Sequence, residues 1–176
     1  SSSNILFVSP FNEPLSGADE SLVLLIHELS KQTQLTIHVI VPPDSAYHQR
    51  YEDAGAQVYP LKISRMRKRF SPFFWLAWLV DFFKERKKLK QFIKEKNISL
   101  IHLNMHVCLG PLLVKRKNLP LVTHYRAKTL AKPKIFFDLF LPFLYRRSTR
   151  VICISEAVAS HFRSRGLTNK VLVLHN

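Results

Sequence analysis

The sequence predicts an α/β domain with an open, mostly parallel sheet of about seven strands and helices on both faces. Short runs rich in β-branched residues alternate with longer segments of helical periodicity, as in parallel strands joined by helical crossovers. The runs at residues 5–8, 121–122 and 151–154 are apolar throughout, which is typical of strands covered on both faces. With 176 residues, 47% of them hydrophobic, the chain suffices for a single domain with its own core.

The first half of the chain alternates three strands with two helices, predicted in order at residues 4–9, 18–30, 35–41, 45–54 and 56–61. Pro10 and Pro42 stop the first two strands, because proline lacks the amide hydrogen that strand pairing uses. Leucine and isoleucine at spacings of three and four give the first helix one apolar face. Gly55 closes the second helix, since glycine tolerates the left-handed conformation common at that position.

The second half begins with one long helix, predicted from Ser71-Pro72 to Asn97. A serine cap followed by proline in the first turn is a helix-start signal. Four strands follow, predicted at residues 98–103, 119–124, 150–154 and 170–174, with helices between them at residues 107–115, 133–146 and 155–166. Right-handed crossovers return each strand to the same direction, so the carboxyl ends of the strands should lie at one edge.

The charge of the chain is strongly positive and unevenly distributed. Lysine and arginine number 27 against 12 acidic residues, a formal net charge of +15. Such a surface attracts nucleic acid, anionic lipid or phosphorylated substrates. Between Lys62 and Lys96 there are twelve basic and three acidic residues, so this segment carries more than half of the excess.

The two cysteines, Cys108 and Cys153, lie in apolar runs and do not have the spacing of a metal-binding pair. They are predicted to be buried thiols in a reducing compartment. The longest apolar stretch, residues 73–80, is far shorter than the roughly 20 residues that span a bilayer. These features favour a cytoplasmic protein.

Ligands of open parallel sheets bind outside the carboxyl ends of the strands. Ser16 and Gly17 open the first helix at this edge, where free backbone N–H groups and the helix dipole favour an anion. The alternative is a simple helix start in which glycine relieves backbone strain, and the sequence supports both equally. No G-x-G-x-x-G fingerprint is present, which argues against a nicotinamide or flavin enzyme.

His124 and Arg126 follow the fifth strand at the same edge. A histidine there can bind a hydroxyl or phosphate or polarise a leaving group, although a structural histidine is nearly as well supported. Arg126 favours the functional interpretation, because a guanidinium suits phosphate. His102 and His106 are predicted to be structural.

Ser155 and Glu156 follow the sixth strand, and Asn176 follows the seventh. At a helix start, a serine and an acidic residue are first of all a cap and a first-turn acid. That interpretation is favoured over direct catalysis, and lining the cleft is compatible with both. We predict all three as substrate-binding residues.

Residues 65–90 form a basic, then aromatic, then basic segment. Aromatic rings beside lysine and arginine suit a membrane interface, whereas the alternative is a crossover helix whose rings face the sheet. Residues 73–79 are apolar all round, more than one buried face requires, which favours partial membrane exposure. The residues predicted to meet the membrane are Arg67, Lys68, Arg69, Trp75 and Trp78. Nucleic acid is not expected as a partner, because no recognised binding motif accompanies the patch.

Six segments together resemble the N-terminal domain of GT-B glycosyltransferases, in particular family 4 of retaining enzymes. They are residues 5–9, 16–22, 37–43, 121–126, 151–158 and 170–176. The first loop of that family usually reads Gly-Gly-Ala-Glu, and here Ser16 replaces the first glycine and Asp19 the acid. The family's histidine after the fifth strand matches His124, and members with a nearby arginine match Arg126.

The resemblance implies a Rossmann-like domain over residues 1–176, the acceptor side of an enzyme that moves a sugar from a nucleotide-sugar with retention. It implies no metal or other cofactor. Gly17 would meet the donor phosphates, and His124, as a catalytic residue, and Arg126 would contact the reacting sugar or a phosphate. The donor-binding domain would be absent from this chain, so the chain alone is expected to be inactive.

The basic-aromatic segment, taken with the resemblance, suggests a lipid-linked or membrane-bound acceptor. The enzyme would lie at the inner face of the plasma membrane, in polysaccharide, lipopolysaccharide or glycolipid synthesis. Two alternatives stay open. One is a non-catalytic basic α/β module that docks on an anionic membrane or a partner protein; the other is a different α/β enzyme that uses a phosphorylated ligand.

Overall fold

The computed structural model describes residues 3–32, 34–64, 72–106, 108–114, 118–126 and 134–175. The strands are β1 (Ser3–Val8), β2 (Leu35–Val41), β3 (Gln57–Pro60), β4 (Ile98–Leu103), β5 (Leu121–Tyr125), β6 (Arg150–Cys153) and β7 (Val171–Val173). The helices are α1 (Gly17–Ser30), α2 (His48–Asp53), α3 (Pro72–Glu95), α4 (Leu109–Val114), α5 (Lys134–Arg147) and α6 (Glu156–Arg163).

The seven strands form one sheet in the order β3-β2-β1-β4-β5-β6-β7, and every pair is parallel. The chain runs outward from β1 to β3, crosses back to β4, and then runs outward on the other side. This order confirms the predicted open, Rossmann-like parallel sheet. It also places the carboxyl ends of β1, β4, β5 and β6 side by side at one edge.

Hydrophobic side chains form two clusters, one on each face of the sheet. Neighbouring residues of β1 alternate between them: Leu6 belongs to one cluster and Phe7 to the other. Helices α1 and α2 cover the face of Phe7, with Leu22 fully buried there. Helices α3 to α6 cover the face of Leu6, where Leu112 is also fully buried. Burial on both faces is the reason that residues 5–8 of β1 are apolar throughout.

The predicted helix ends are largely confirmed, with one correction. Gly55 follows α2 at φ +99°, and a Cβ there would lie 2.7 Å from Cβ of Ser30. Asn97 ends the α3 segment at φ 49°. Helix α2 begins at His48 rather than at residue 45, because the Ser45 hydroxyl accepts a hydrogen bond from the Tyr47 amide and holds a turn there.

Both cysteines are buried, as predicted, and burial raises the pKa of Cys153 to about 12. Within the described ranges, no helix is long and apolar enough to cross a membrane.

Candidate functional site

A cavity of about 430 Å³ lies at the carboxyl edge of the sheet, above the beginning of α1. Its walls are formed by Phe11, Glu13, Leu15, Ser16, Gly17, Ala18, Met105, Arg126 and Ile154. These residues come from the segments that follow β1, β4, β5 and β6. Segments that follow four of the strands therefore meet at this cavity.

The first turn of α1 forms one wall of the cavity. Ser16 is the N-cap, and its hydroxyl accepts a hydrogen bond of 3.3 Å from the Asp19 amide. Gly17 does not have the left-handed φ that would demand glycine, and a Cβ there would meet nothing within 4 Å. Relief of backbone strain therefore does not explain Gly17. The open space beside it lets a ligand approach the helix amides closely.

Tyr47, the residue directly before α2, forms hydrogen bonds that link α2 to the loop before α1. Its buried hydroxyl accepts from the Ser16 amide at 3.1 Å and donates to Oε1 of Glu20 at 2.8 Å. Arg50 in α2 forms a second bond to Glu20, with Nη2 2.6 Å from Oε2. The hydrogen bond from Arg50, and then that from Tyr47, hold the pKa of Glu20 below its usual value.

A buried polar cluster of Ser9, Asp19, Tyr51 and Asn104 lies beneath this wall. Oδ1 of Asp19 accepts from the hydroxyls of Ser9 and Tyr51, and Asp19 is only 1% exposed. Nδ2 of Asn104 donates to the Ser9 hydroxyl at 3.4 Å and to the Ala18 carbonyl at 3.2 Å. Burial, followed by the negative charge of Asp19, raises the pKa of Tyr51. The cluster joins the ends of β1 and β4 to α1 and α2.

Arg126 lines the cavity, whereas His124 does not. Nη2 of Arg126 donates to the Ser21 hydroxyl at 2.9 Å and lies 3.1 Å from Nδ1 of His124. Arg126 is half-buried and lines the cavity, while His124 is 7% exposed and is not among the lining residues. Substrate contact by Arg126 and catalysis by His124 stay predictions.

His124 and His102 form a pair of buried imidazoles on neighbouring strands, with ring centroids 5.9 Å apart. Burial lowers the pKa of His124 to about 3, helped by the positive charge of Arg126 and by His102. Burial and Arg126 lower the pKa of His102 to about 4. Both shifts favour the neutral imidazole at neutral pH.

Ser155 and Glu156 begin α6 at the same edge without lining the cavity. The Ser155 hydroxyl caps the helix by accepting from the Val158 amide at 3.3 Å. Glu156 is exposed and forms an ion pair with Arg163. The cap interpretation of Ser155 is confirmed, and substrate contact by either residue stays a prediction. Asn176 lies outside the described residues.

The apolar half of α3 is exposed on one side and buried on the other. Phe82 is buried, and Trp78 is half-buried and stacks on it with ring centroids 5.2 Å apart. On the opposite side Leu76 is 64% exposed and Phe83 58% exposed, and Leu79 and Val80 are exposed as well. Helix α3 therefore has more apolar surface than its packing against the sheet uses.

Four other residues predicted to meet the membrane cannot be placed, because they or their side chains lie outside the described part of the structure. Arg67, Lys68 and Arg69 fall in the gap between residues 64 and 72, and the side chain of Trp75 is not described. Among the residues that are described, no three histidine, cysteine, aspartate or glutamate side chains are grouped so as to hold a metal ion.

Sequence reasoning missed the polar cluster around Asp19 and the anchor at Tyr47. The acid of the first loop was visible as Asp19, and Ser9 and Asn104 stand at strand ends, so part of the signal was present. Tyr47 precedes α2 and Tyr51 lies in it, more than 25 residues along the chain from the start of α1, and no local pattern connects the two regions.

A family model described as Glycosyltransferase Family 4 matches residues 15–176 of the chain. A comparison with curated proteins found no match.

Solved structures of glycosyltransferases share the fold of this chain. HepE of Anabaena, in complex with UDP and glucose, is 20% identical with a TM-score of 0.69, covering 98% of this chain and 44% of HepE. The lipopolysaccharide outer core galactosyltransferase WaaB, in its apo form, is 12% identical with a TM-score of 0.69, covering 98% of this chain and 45% of WaaB. MurG of Acinetobacter baumannii is 12% identical with a TM-score of 0.63, covering 97% of this chain and 45% of MurG. The chain thus spans less than half the length of each.

Proposed function

The chain belongs to glycosyltransferase family 4, and we propose that it is the acceptor-side half of an enzyme that transfers a sugar from a nucleotide-sugar with retention. The donor-binding domain would lie in further polypeptide. The extent of the matches supports this division, since the chain covers about 44% of HepE, whose structure holds UDP and glucose. The observation that carries the proposal is the cavity formed by Ser16, Gly17 and Arg126 at one edge of a parallel sheet.

The cavity suits the phosphate groups of a nucleotide-sugar. The first turn of α1 presents backbone N–H groups and the positive end of a helix dipole, and Gly17 leaves the approach open. Arg126 adds a positive charge on the same cavity. We infer that donor phosphates bind the amides at Gly17 when the two domains close, and that Arg126 contacts a phosphate or the reacting sugar. The proposed transfer uses no metal, so we expect it to survive a chelator.

A methyl group at residue 17 tests this placement. We expect Gly17→Ala, introduced into the polypeptide that includes the donor-binding domain, to reduce kcat/KM for the nucleotide-sugar by about tenfold, roughly 1.4 kcal/mol. The new Cβ would occupy the space that the phosphate needs, while the free energy of unfolding should change by no more than about 1 kcal/mol.

Gly110→Ala is the matched control. Gly110 is also a helical glycine with nothing within 4 Å of an added Cβ, but it lies in α4, away from the cavity. Steady-state transfer assays and thermal unfolding of both variants give the answer. Full activity of Gly17→Ala would show that the donor does not approach this turn.

The chain alone separates the proposal from the two alternatives. We expect the 176 residues to show no turnover of nucleotide-sugars and at most weak binding by calorimetry, because most donor contacts would come from the other domain. Tight nucleotide binding without that domain would favour a different α/β enzyme. A coding sequence that stops directly after Asn176 would favour a non-catalytic module.

We further propose that the acceptor is lipid-linked or membrane-associated and that the enzyme docks on the cytoplasmic face of the plasma membrane. The exposed apolar side of α3 supports this, because Leu76 and Phe83 could enter the headgroup region. Exposed lysines at residues 84, 87 and 88 follow directly and would meet anionic lipid. Synthesis of cell-surface polysaccharide, lipopolysaccharide or glycolipid is the process in which such an acceptor is used.

Vesicle co-sedimentation tests the membrane partner. We expect the chain to bind phosphatidylglycerol vesicles and to bind phosphatidylcholine vesicles weakly. The double variant Leu76→Ser with Phe83→Ser, and separately neutralisation of Arg67 to Arg69, should each lower binding about tenfold.

Leu172→Ser with Leu174→Ser is the control pair, because these leucines are similarly exposed but lie in and after β7, away from α3. Equal binding by the parent and the α3 variant would remove the membrane from the proposal and leave the transferase assignment intact.

A further inference from the structure

We propose that Arg126 is a positioning residue that holds the His124 ring in the neutral tautomer with its proton on Nε2. The contact that carries the inference joins Nη2 of Arg126 to Nδ1 of His124 at 3.1 Å. It rests on the proposed function, in which this pair meets the reacting sugar or a phosphate, and it assigns each side chain a separate task there.

The hydrogen-bonding groups of Arg126 and His124 allow only one position for the proton of the neutral ring. A guanidinium has only donors, and a neutral imidazole has one donor nitrogen and one acceptor nitrogen. The nitrogen that faces Nη2 of Arg126 must therefore be the acceptor, which places the ring proton on Nε2. Protonation of Nδ1 would set two N–H groups against each other. The depressed pKa of His124, caused by burial and then by Arg126 and His102, agrees with a ring that stays neutral.

The orientation of Arg126 is fixed from the first turn of α1. The Ser21 hydroxyl donates to the Ala18 carbonyl at 3.1 Å, so its oxygen is free to accept from Nη2 of Arg126 at 2.9 Å. The two hydrogens of Nη2 then serve one acceptor each, Ser21 and His124. Burial lowers the pKa of Arg126, and the negative charge of Asp19, buried two residues before Ser21, offsets part of that effect by favouring the charged guanidinium. A line of hydrogen bonds thus runs from the wall of the cavity to the imidazole.

The remaining ring nitrogen, Nε2, is a donor that faces no acceptor in the described part of the chain. Nε2 of His124 has no hydrogen-bond acceptor among the described residues, and the nearby His102 ring does not form a hydrogen bond with it. Nε2–H would donate to an oxygen lone pair of a hydroxyl or phosphate. His124 would not act as a base, because Nε2 already carries the proton and the lone pair of Nδ1 accepts from Arg126. Nε2 is also shielded from solvent, so a ligand oxygen reaches it only after surrounding side chains move.

Nitrogen NMR of the histidine-labelled 176-residue chain tests the inference without any sugar or nucleotide. His124→Gln identifies the resonances. We expect a single tautomer with Nε2 protonated and Nδ1 unprotonated between pH 5 and pH 8. Arg126→Met removes the donor at similar side-chain length, and the population with the proton on Nδ1 should rise about fivefold. Arg126→Lys keeps a donor and should restore much of the original tautomer.

Arg86→Met is the matched control, since Arg86 is also half-buried but donates to the Leu113 carbonyl at 3.5 Å, away from the histidines. It should leave the His124 resonances unchanged. Ser21→Ala, which loosens Arg126 without removing it, should shift the tautomer population in the same direction as Arg126→Met and by less.

Protonation of Nδ1 in the parent chain would overturn the inference. So would an unchanged tautomer population in a folded Arg126→Met variant. If Arg126→Met does not fold, an unchanged population in Ser21→Ala has the same force. Neither result concerns glycosyl transfer, whereas a failure of the Gly17→Ala assay would overturn the proposed donor site and leave the tautomer assignment intact.

Discussion

Helices α1 and α6 begin in the same way and end up with different roles. Both follow a parallel strand, and both have a serine cap, Ser16 or Ser155, whose hydroxyl accepts a backbone amide at 3.3 Å. Both have an acid in the first turn. Asp19 is 1% exposed and accepts two hydroxyl donors, whereas the Glu156 side chain is 61% exposed and pairs with Arg163. The same local signal therefore marks a cavity wall at one helix and an ordinary helix start at the other.

The surroundings of the two helices account for the difference. The start of α1 lies beside β1 and β4 at the centre of the sheet, and Tyr47 and Tyr51 from the α2 region close over it. The start of α6 lies between β6 and the edge strand β7, where Glu156 faces solvent. Position in the sheet, more than sequence at the helix start, decides which helix forms a site.

The largest expected effect comes from removing each acid. We expect Asp19→Ala to lower the free energy of unfolding by about 3 kcal/mol, because the buried Ser9 and Tyr51 hydroxyls lose their shared acceptor. Glu156→Ala, which removes only an exposed ion pair, should change it by less than about 0.5 kcal/mol. Urea denaturation measures both. Equal losses would mean that the two helix starts are energetically alike and that the burial of Asp19 has no consequence.

Acid should weaken the structure on the α1 side through its buried histidines. The folded-state pKa values of His124 and His102, about 3 and about 4, lie below the usual 6.5. At pH values between these and 6.5, the unfolded chain therefore binds more protons than the folded chain does. Stability is therefore lost as the pH falls below about 6.5, by about 1.6 kcal/mol per histidine between pH 6.5 and pH 5.

The histidine variants identify the source of that loss. A folded His124→Gln or His102→Gln variant cannot take up the proton, so its unfolding free energy should depend less on pH over this range. A parent chain whose stability is constant from pH 6.5 to pH 5 would contradict the neutral, buried state of both rings.

The smallest effect should come from the two caps, and here the helices should behave alike. We expect Ser16→Ala and Ser155→Ala each to cost about 1 kcal/mol, since each removes one hydrogen bond to an otherwise unpaired helix amide. Ligand binding should separate them, because only Ser16 lines the cavity. Thermal unfolding with and without nucleotide-sugar, in the two-domain polypeptide, makes the comparison. A ligand-induced stabilisation that both variants lose equally would indicate a site extending to Ser155.

The sequence predicted most of the fold and the edge of the sheet at which the cavity lies. Alternation of strand and helix patterns and the rule for parallel strand ends were enough to place Gly17 and Arg126 at one cavity. The depth of His124 was not predictable, because it depends on which face of β5 the residue occupies and on what lies above it. The polar cluster was not predictable either, since Tyr51 and Asp19 meet through tertiary packing between helices that local patterns treat separately.

The anchoring of the first turn of α1 has a consequence for its motion. Helix ends ordinarily fray, and their amides exchange hydrogen with water by local opening. Here the turn is held by the hydrogen bond between Asp19 and Tyr51 and by that between the Ser16 amide and the Tyr47 hydroxyl. Its slowest amides should therefore exchange only when a much larger part of the domain opens. An anion arriving at such a preorganised turn would lose little affinity to conformational entropy.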